Sequence, residues 1–149
     1  MNTKPPICRS STAALVFWRE QVATHPNLNP AAENFWVLTL EWDGERRLTG
    51  AHLVSSRAFG NSQNFADELF ASAFLRGVPE FLLVHHRPGT NPEPMPADID
   101  RARAIVAAGR TKKIEMLDCL LVGNSSDAHP SGTFSFRRLP KALRADLFK

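Results

Sequence analysis

Residues 81–89 read FLLVHHRPG, and this stretch decides both the fold and the candidate site. Its first four residues are apolar, which is typical of a strand buried in a sheet. Side chains alternate between the faces of a strand, so His85 and Arg87 point one way and His86 the other. A proline-rich loop follows, and Asp98 stands near the start of the next predicted helix. We therefore expect a histidine, an arginine and a carboxylate to meet at one strand end.

Apolar periodicity and turn residues predict helices and strands along the rest of the chain. In chain order these are a helix capped by Ser10, a strand over 35–42, a hairpin turn at Asp43-Gly44, a strand near 48–55, a helix capped by Asn64, the strand ending at His85, a helix over about 96–109, and strands over 114–122 and 133–136. In the first strand, one face is fully apolar and the other is expected to be half-exposed. This order predicts an α/β layered domain with mixed strand pairing.

Length and composition indicate one compact domain. The chain has 149 residues, 43% of them hydrophobic, which is enough for a single core. We expect residues 1–9 to form a flexible lead and residues 10–149 to form the domain. The net charge of +3 is mild, so it permits an acidic partner without requiring one.

The sequence carries no feature typical of a membrane or secreted protein. It has no apolar run of about 18 residues that would cross a bilayer. The segment 1–6 contains Lys4 but no apolar core, so it does not resemble a signal peptide. Cys8 and Cys119 lack the spacing of metal ligands, which suits reduced thiols. We therefore expect a cytoplasmic protein without a membrane partner.

His85, Pro88 and Asp98 occur in the order of a known motif. On these residues the chain resembles the RadC family of JAB domains, also called MPN or JAMM metallopeptidase domains. The motif of that family is His-x-His-Pro-Ser-Gly followed by an aspartate, with a glutamate upstream that Glu33 matches. The resemblance covers roughly residues 32–139. It implies a JAB/MPN-like layered domain, similar to cytidine deaminases, with a mixed β-sheet flanked by helices.

The resemblance also implies roles for individual residues. In the family, two histidines and the aspartate hold zinc, the glutamate activates the bound water, and the serine stabilises the oxyanion. Glu33 then stands at the catalytic position, and His85 and Asp98 stand at metal positions. Zinc in such a site takes three protein ligands and leaves its fourth position to water. The implied activity is that of a hydrolase, and the family is associated with DNA repair.

The chain departs from the family where the chemistry is done. Arg87 stands in place of the second histidine, Gly89 in place of the serine, and Cys119 in place of a histidine in a later Leu-Asp-His strand. An arginine has five donors and no acceptor, so it cannot bind a metal ion. Its fixed charge repels a divalent cation and attracts a carboxylate. We predict that Arg87 pairs with Asp98 in place of the metal.

Each of these residues also has a structural interpretation. His85 at the end of an apolar strand is typical of a core histidine, and Asp98 of a carboxylate in the first turn of a helix. Two substitute ligands remain open: His86, if a bulge turns its side chain, and Cys119. The stretch His129-Pro130-Ser131-Gly132 repeats motif letters in a loop with no strand before it, and we interpret it as accidental.

The sequence leaves three functions open, of which we predict the first. It is a degenerate, zinc-free RadC-like domain that needs no cofactor and binds a protein or peptide. An alternative is an active zinc-dependent metallopeptidase or isopeptidase with His85, Asp98 and either His86 or Cys119 as ligands. A second alternative is a DNA-repair-associated nucleic-acid-binding protein, for which a basic cluster along one helix would supply the charge. That cluster comprises Arg101, Arg103, Arg110, Lys112 and Lys113.

Overall fold

The computed structural model describes residues 4–25, 31–54 and 61–148. Within them, five strands form one mixed sheet with helices against both faces. The elements are α1 (Ser11–Ala23), β1 (Asn34–Trp42), β2 (Arg46–Leu53), α2 (Ser62–Ala71), β3 (Glu80–His86), α3 (Pro96–Lys112), β4 (Glu115–Val122), β5 (Thr133–Ser135) and α4 (Lys141–Arg144), with 3-10 turns at Ala73–Leu75 and Phe136–Arg138. The strand order is β2-β1-β3-β4-β5, with β3 and β4 parallel and the other neighbours antiparallel. This architecture confirms the predicted α/β layered class.

β1 and β3 lie at the centre of the sheet, between β2 and β4. α1 covers one face of β1, where Trp36 and Leu38 are fully buried. α2 and α3 cover the other face, where Phe35 and Val37 are equally buried. The prediction that β1 has a half-exposed face is wrong, because helices exclude water from both sides of a central strand.

The connectivity brings the candidate residues to one end of the sheet. α3 is the crossover between the parallel strands β3 and β4, so its first turn starts beside the carboxyl end of β3. β1 runs antiparallel to β3, and its register pairs Phe35 with His85. Glu33, just before β1, therefore lies next to the end of β3. Ligand sites in open α/β sheets commonly lie at this carboxyl end of the parallel strands.

Two local predictions need correction. Asn61, not Asn64, caps α2: the backbone N–H of Asn64 donates to Asn61 Oδ1 at 2.9 Å, so the helix begins earlier in the chain. The second strand spans Arg46–Leu53 rather than residues near 48–55, and Ser55 itself is outside the described residues.

Residues 6–8, within the segment predicted to be a flexible lead, lie against the edge of β2. The backbone N–H of Leu48 donates to the carbonyl of Pro6 at 2.8 Å, and that of Cys8 donates to the carbonyl of Arg46 at 2.8 Å. Residues 6–8 therefore cover part of the outer edge of β2. Covering an edge strand in this way removes open backbone groups that would otherwise pair with another chain.

The helices differ in length and charge from those that span a bilayer. The longest described helix, α3, has 17 residues and carries several charged side chains. None of the helices in the described part of the chain is long and apolar enough to cross a membrane.

Candidate functional site

Asp98 is the centre of the candidate site. Pro96 occupies the start of α3, where its missing N–H costs nothing, and Asp98 follows in the first turn. The Asp98 carboxylate turns back and accepts the backbone N–H of Met95 at 2.7 Å, which closes the helix end. Only 4% of Asp98 is exposed, so this carboxylate needs further partners.

Two arginines supply those partners. Arg87 Nη1 lies 3.1 Å from one Asp98 carboxylate oxygen and 3.3 Å from the other, and its Nη2 donates to the carbonyl of Glu93 at 3.0 Å. Arg101, one turn further along α3, places its Nη1 3.2 Å from Asp98 Oδ1. Burial alone would raise the pKa of Asp98, but the Met95 N–H and the charge of Arg87 lower it overall. The carboxylate is therefore ionised and held between two cations.

Arg101 is fixed by aromatic rings as well as by Asp98. Its guanidinium carbon lies 4.9 Å from the ring centre of Phe35 and 5.7 Å from that of Phe65. Only 7% of the residue is exposed. Contacts of this kind favour a desolvated arginine over a lysine or an aliphatic residue. Arg101 is therefore a second permanent positive charge inside the site.

His85 completes the site between the two carboxylates. Its ring stacks on Phe35 with a centroid distance of 4.1 Å. Nε2 lies 2.9 Å from Glu33 Oε1, and Nδ1 lies 3.8 Å from Asp98 Oδ1. Burial lowers the pKa of His85 to about 4, although hydrogen bonding to Glu33 acts in the opposite direction. The imidazole is therefore neutral near pH 7, and the geometry assigns its proton to Nε2, which donates to Glu33.

Acid should destabilise the domain through His85. The pKa of His85 is 6.5 in the unfolded chain and about 4 in the folded chain. Between these two pH values, the unfolded chain binds a proton at His85 and the folded chain does not. Protonation between these values favours unfolding, so stability falls as the pH decreases. We expect a loss of about 2 kcal/mol between about pH 7.5 and about pH 5 from this residue. Urea unfolding at both pH values measures it.

The control for this prediction is His85→Gln, which keeps a donor for Glu33 but cannot titrate. His52 and His86 also have pKa values lowered by burial, so some acid sensitivity should remain in the variant. An equal loss of stability in the wild type and in His85→Gln would contradict the assignment of the effect to His85.

The two substitute ligands lie on opposite faces of the sheet. His86 is on the α1 face of the sheet, in edge contact with the Trp18 ring at 5.4 Å, so its side chain points away from Asp98. Cys119 lies on β4 opposite Leu83, on the same face as His85, and is buried. Burial raises the pKa of the Cys119 thiol in the metal-free protein. Of the two residues, only Cys119 therefore lies on the face of the sheet that carries His85.

These donors do not fit a zinc ion. In the described ranges, no group of three or more histidine, cysteine, aspartate or glutamate side chains is arranged to hold a metal. Both oxygens of Asp98 are occupied by N–H donors. Arg87 and Arg101 also place two positive charges where the divalent ion would lie, and their repulsion acts against binding.

Gly89, at the position of the family's serine, has a backbone role instead. Its φ is +85°, a conformation that glycine adopts at little cost and other residues rarely adopt. Its N–H donates to Asn124 Oδ1 at 3.2 Å, which ties the loop after β3 to the loop after β4. A hydroxyl donor for an oxyanion is thus absent from this position.

Arg101 does not belong to the basic cluster predicted for nucleic-acid binding, because the residue is buried at Asp98. Arg103 of the same cluster is paired with Asp146 at 3.0 Å. The spacing of three residues between Asp98 and Arg101 on one helix was the available signal, because such side chains share a face. The predicted cluster therefore does not form one continuous basic surface.

The stretch at residues 129–132 lies near the site loop. His129 Nε2 is 3.7 Å from Glu93 Oε1, and the His129 ring is in edge contact with Phe134. Glu93 belongs to the loop whose backbone Arg87 binds. His129 therefore supports the loop after β3. This role differs from that of a histidine in the family motif, which would bind the metal.

Comparison with known proteins agrees with this architecture. A family model described as RadC-like JAB domain matches residues 8–140. A UPF0758 protein of Thermosynechococcus vestitus is 33% identical over 94 residues, which are 63% of this chain and 37% of the relative. A UPF0758 protein of Desulforudis audaxviator is 31% identical over 93 residues, which are 62% of this chain and 40% of the relative. The matched part thus spans at most 40% of the length of these curated relatives.

The matched range includes the whole sheet and the candidate site. β1 to β5 and the residues from Glu33 to Cys119 all lie within residues 8–140. The matched range therefore contains the elements that bring His85 and Asp98 together. The chain belongs to the RadC-like JAB domain family.

Proposed function

We propose that this domain is a zinc-free member of its family that binds a protein or peptide at the end of β3. The observation that supports the proposal is the double ion pair of Asp98 with Arg87 and Arg101. The pair occupies the carboxylate that a zinc ion would need. It also gives the site a fixed internal structure without any metal.

The same geometry gives no support to hydrolysis. A hydrolase of this type activates a water molecule through a metal ion, and an arginine has no lone pair with which to bind that ion. Glu33 is already bound by His85. An arginine side chain can nevertheless donate to the carbonyl groups of a peptide. Binding without cleavage is the chemistry that these residues support.

The rim of the site suits an extended peptide. Glu33 is 41% exposed and offers acceptor oxygens. Met95 is 57% exposed, is one of the few large apolar side chains on the described surface, and lies 3.7 Å from Arg87 Nη1. Methionine adapts its shape to different apolar partners. Donor, acceptor and apolar groups therefore lie side by side at the end of β3.

A random-peptide display library would test this proposal. We expect it to yield peptides whose affinity, measured by fluorescence anisotropy, falls about ten-fold in Met95→Asp. Val16→Asp is the matched control, because Val16 is 51% exposed and lies on α1, away from the site. The proposal fails if no peptide is selected, or if both variants weaken binding equally.

The protein purified without added metal should contain no stoichiometric zinc. Arg87 and Arg101 neutralise Asp98, and the remaining donors are too few for a stable site. Native mass spectrometry measures the metal content directly. One zinc ion per chain, lost on His85→Gln, would show that the site is a metal centre after all.

The other two functions lack a comparable observation. His86 points to α1, which removes one of the rearranged ligands of a metallopeptidase. Arg101 is buried, which removes one member of the basic cluster assigned to nucleic-acid binding. We therefore do not propose either function for the site at Asp98.

A further inference from the structure

A cleft lies between the 3-10 turn Phe136–Arg138 and α4, and it contains none of the residues around Asp98. Its volume is about 240 Å³. The lining residues are Arg137, Lys141, Arg144, Ala145 and Phe148. Three of these five side chains are cationic, so the cleft concentrates positive charge around a small apolar floor.

Among residues 4–25, 31–54 and 61–148, no carboxylate lies within ion-pair distance of Arg137, Lys141 or Arg144. Burial raises the pKa of Asp118 and the charge of Arg137 acts in the opposite direction, so this buried carboxylate lies within electrostatic reach of Arg137. Asp146, beside the cleft in sequence, is directed instead to Arg103 on α3 at 3.0 Å. Arg46, by contrast, is paired with Glu80 at 2.9 Å. The cleft is therefore a place where three cations without ion pairs to the described residues lie together.

Protein contacts hold two of these cations in place. Arg137 Nε donates to the carbonyl of Leu117 at 2.7 Å, and its guanidinium carbon lies 4.6 Å from the ring centre of Phe148. Arg144 Nη1 donates to the carbonyl of Arg137 at 3.2 Å. The two terminal nitrogens of Arg137 and Nη2 of Arg144 have no hydrogen-bond partner in the described ranges. Each guanidinium group is held by protein contacts on one edge, and the N–H donors of its other edge are available to a ligand.

We propose that this cleft binds a phosphate group. A phosphate offers several acceptor oxygens to fixed guanidinium donors, and its charge relieves the mutual repulsion of the three cations. The group would belong either to a small phosphorylated molecule or to a nucleic-acid backbone, since both present the same oxygens. The proposal is independent of peptide binding at Asp98, because the two sites share no residue.

Binding of two probes tests the proposal on the intact chain. Pyrophosphate is measured by titration calorimetry, and a fluorescein-labelled single strand of oligo-dT by anisotropy at several NaCl concentrations. The test variant is Lys141→Gln with Arg144→Gln. The control is Arg19→Gln with Lys112→Gln, which removes the same charge from exposed positions outside the cleft. Lys141→Gln alone removes no protein hydrogen bond from that side chain, so it separates loss of binding from loss of folding.

We expect the cleft variant to weaken binding about ten-fold and the control variant less than about two-fold. Lys141→Gln alone should weaken it in the same direction. If oligo-dT is the better probe, the plot of log affinity against log salt should be less steep in the double variant, with a slope smaller in magnitude by about 1.4. If only pyrophosphate binds, the source is a small phosphorylated ligand. Absence of binding by both probes, equal losses in cleft and control variants, or equal binding of an oligoglutamate peptide would overturn the proposal.

Discussion

Asp98→Ala is expected to destabilise the domain by about 3–5 kcal/mol, as for removal of one partner from a buried ion pair. The substitution removes the carboxylate that lies between Arg87 and Arg101 and that reduces their mutual repulsion. It also removes the acceptor of the Met95 N–H at the start of α3. Asp98→Asn should cost less, because an amide oxygen can still accept that N–H. Urea unfolding near pH 7.5 measures both losses.

Arg87→Ala should cost clearly less than Asp98→Ala. Arg101 still neutralises Asp98 in that variant, whereas nothing replaces the carboxylate when Asp98 is lost. The double variant should therefore cost less than the sum of the two single variants, by more than about 1 kcal/mol. The exposed pair of Asp100 and Arg103, 3.7 Å apart on the same helix, is the matched control and should be additive within about 0.5 kcal/mol.

Additive losses at Arg87 and Asp98 would mean that the two side chains do not interact. The interpretation of Arg87 as the replacement for a metal ligand would then be withdrawn. Strong coupling of Asp98 to Arg101 alone would lead to a different conclusion. In that case Arg101 on α3 would neutralise Asp98. Arg87 would only hold the loop after β3 in place, through its hydrogen bond to the carbonyl of Glu93.

The fold was predictable because its signals are local. The apolar run before His85 identifies a central strand, and Pro96 with Asp98 identifies the start of a helix. Alternation along the strand places His85 and Arg87 on one face and His86 on the other, and the structure has this arrangement. The predicted pairing of Arg87 with Asp98 follows from these local facts together with the attraction between the two charges.

The features that sequence reasoning missed depend on tertiary neighbours. Burial of both faces of β1 follows from α1 on one side and α2 and α3 on the other, which the composition of one strand does not reveal. The spacing of Asp98 and Arg101 predicts that the two side chains share a face of α3, but it does not predict that this face is buried. The burial of Arg101 follows from the approach of Phe35 and Phe65 from β1 and α2. The cap of α2 was misplaced because Asn61 and Asn64 are equally good capping residues.

Zinc binding should be recoverable by substitution, and Arg101 decides how. From the sequence alone, Arg87→His with Gly89→Ser is the expected repair. In the structure, Arg101 would still hold Asp98 in that variant, so zinc affinity should stay weak. Adding Arg101→Met removes this charge and keeps an unbranched chain against Phe35 and Phe65. We expect the triple variant to bind zinc at least about ten-fold more tightly than the double variant.

The effect of Gly89→Ser can be separated from that of the metal ligands. At a φ of +85°, a serine should cost about 1 kcal/mol of stability, since only glycine adopts this conformation freely. Arg87→His with Arg101→Met, in which Gly89 is retained, should therefore bind zinc as well as the triple variant and unfold at a higher urea concentration.

Native mass spectrometry and titration calorimetry measure zinc binding, and His85→Gln in either variant should abolish it. If neither variant takes up zinc at micromolar excess, His85, Asp98 and the introduced histidine do not form a metal site despite the short distance between His85 and Asp98. Arg87 would then not be the replacement of a metal ligand in this chain.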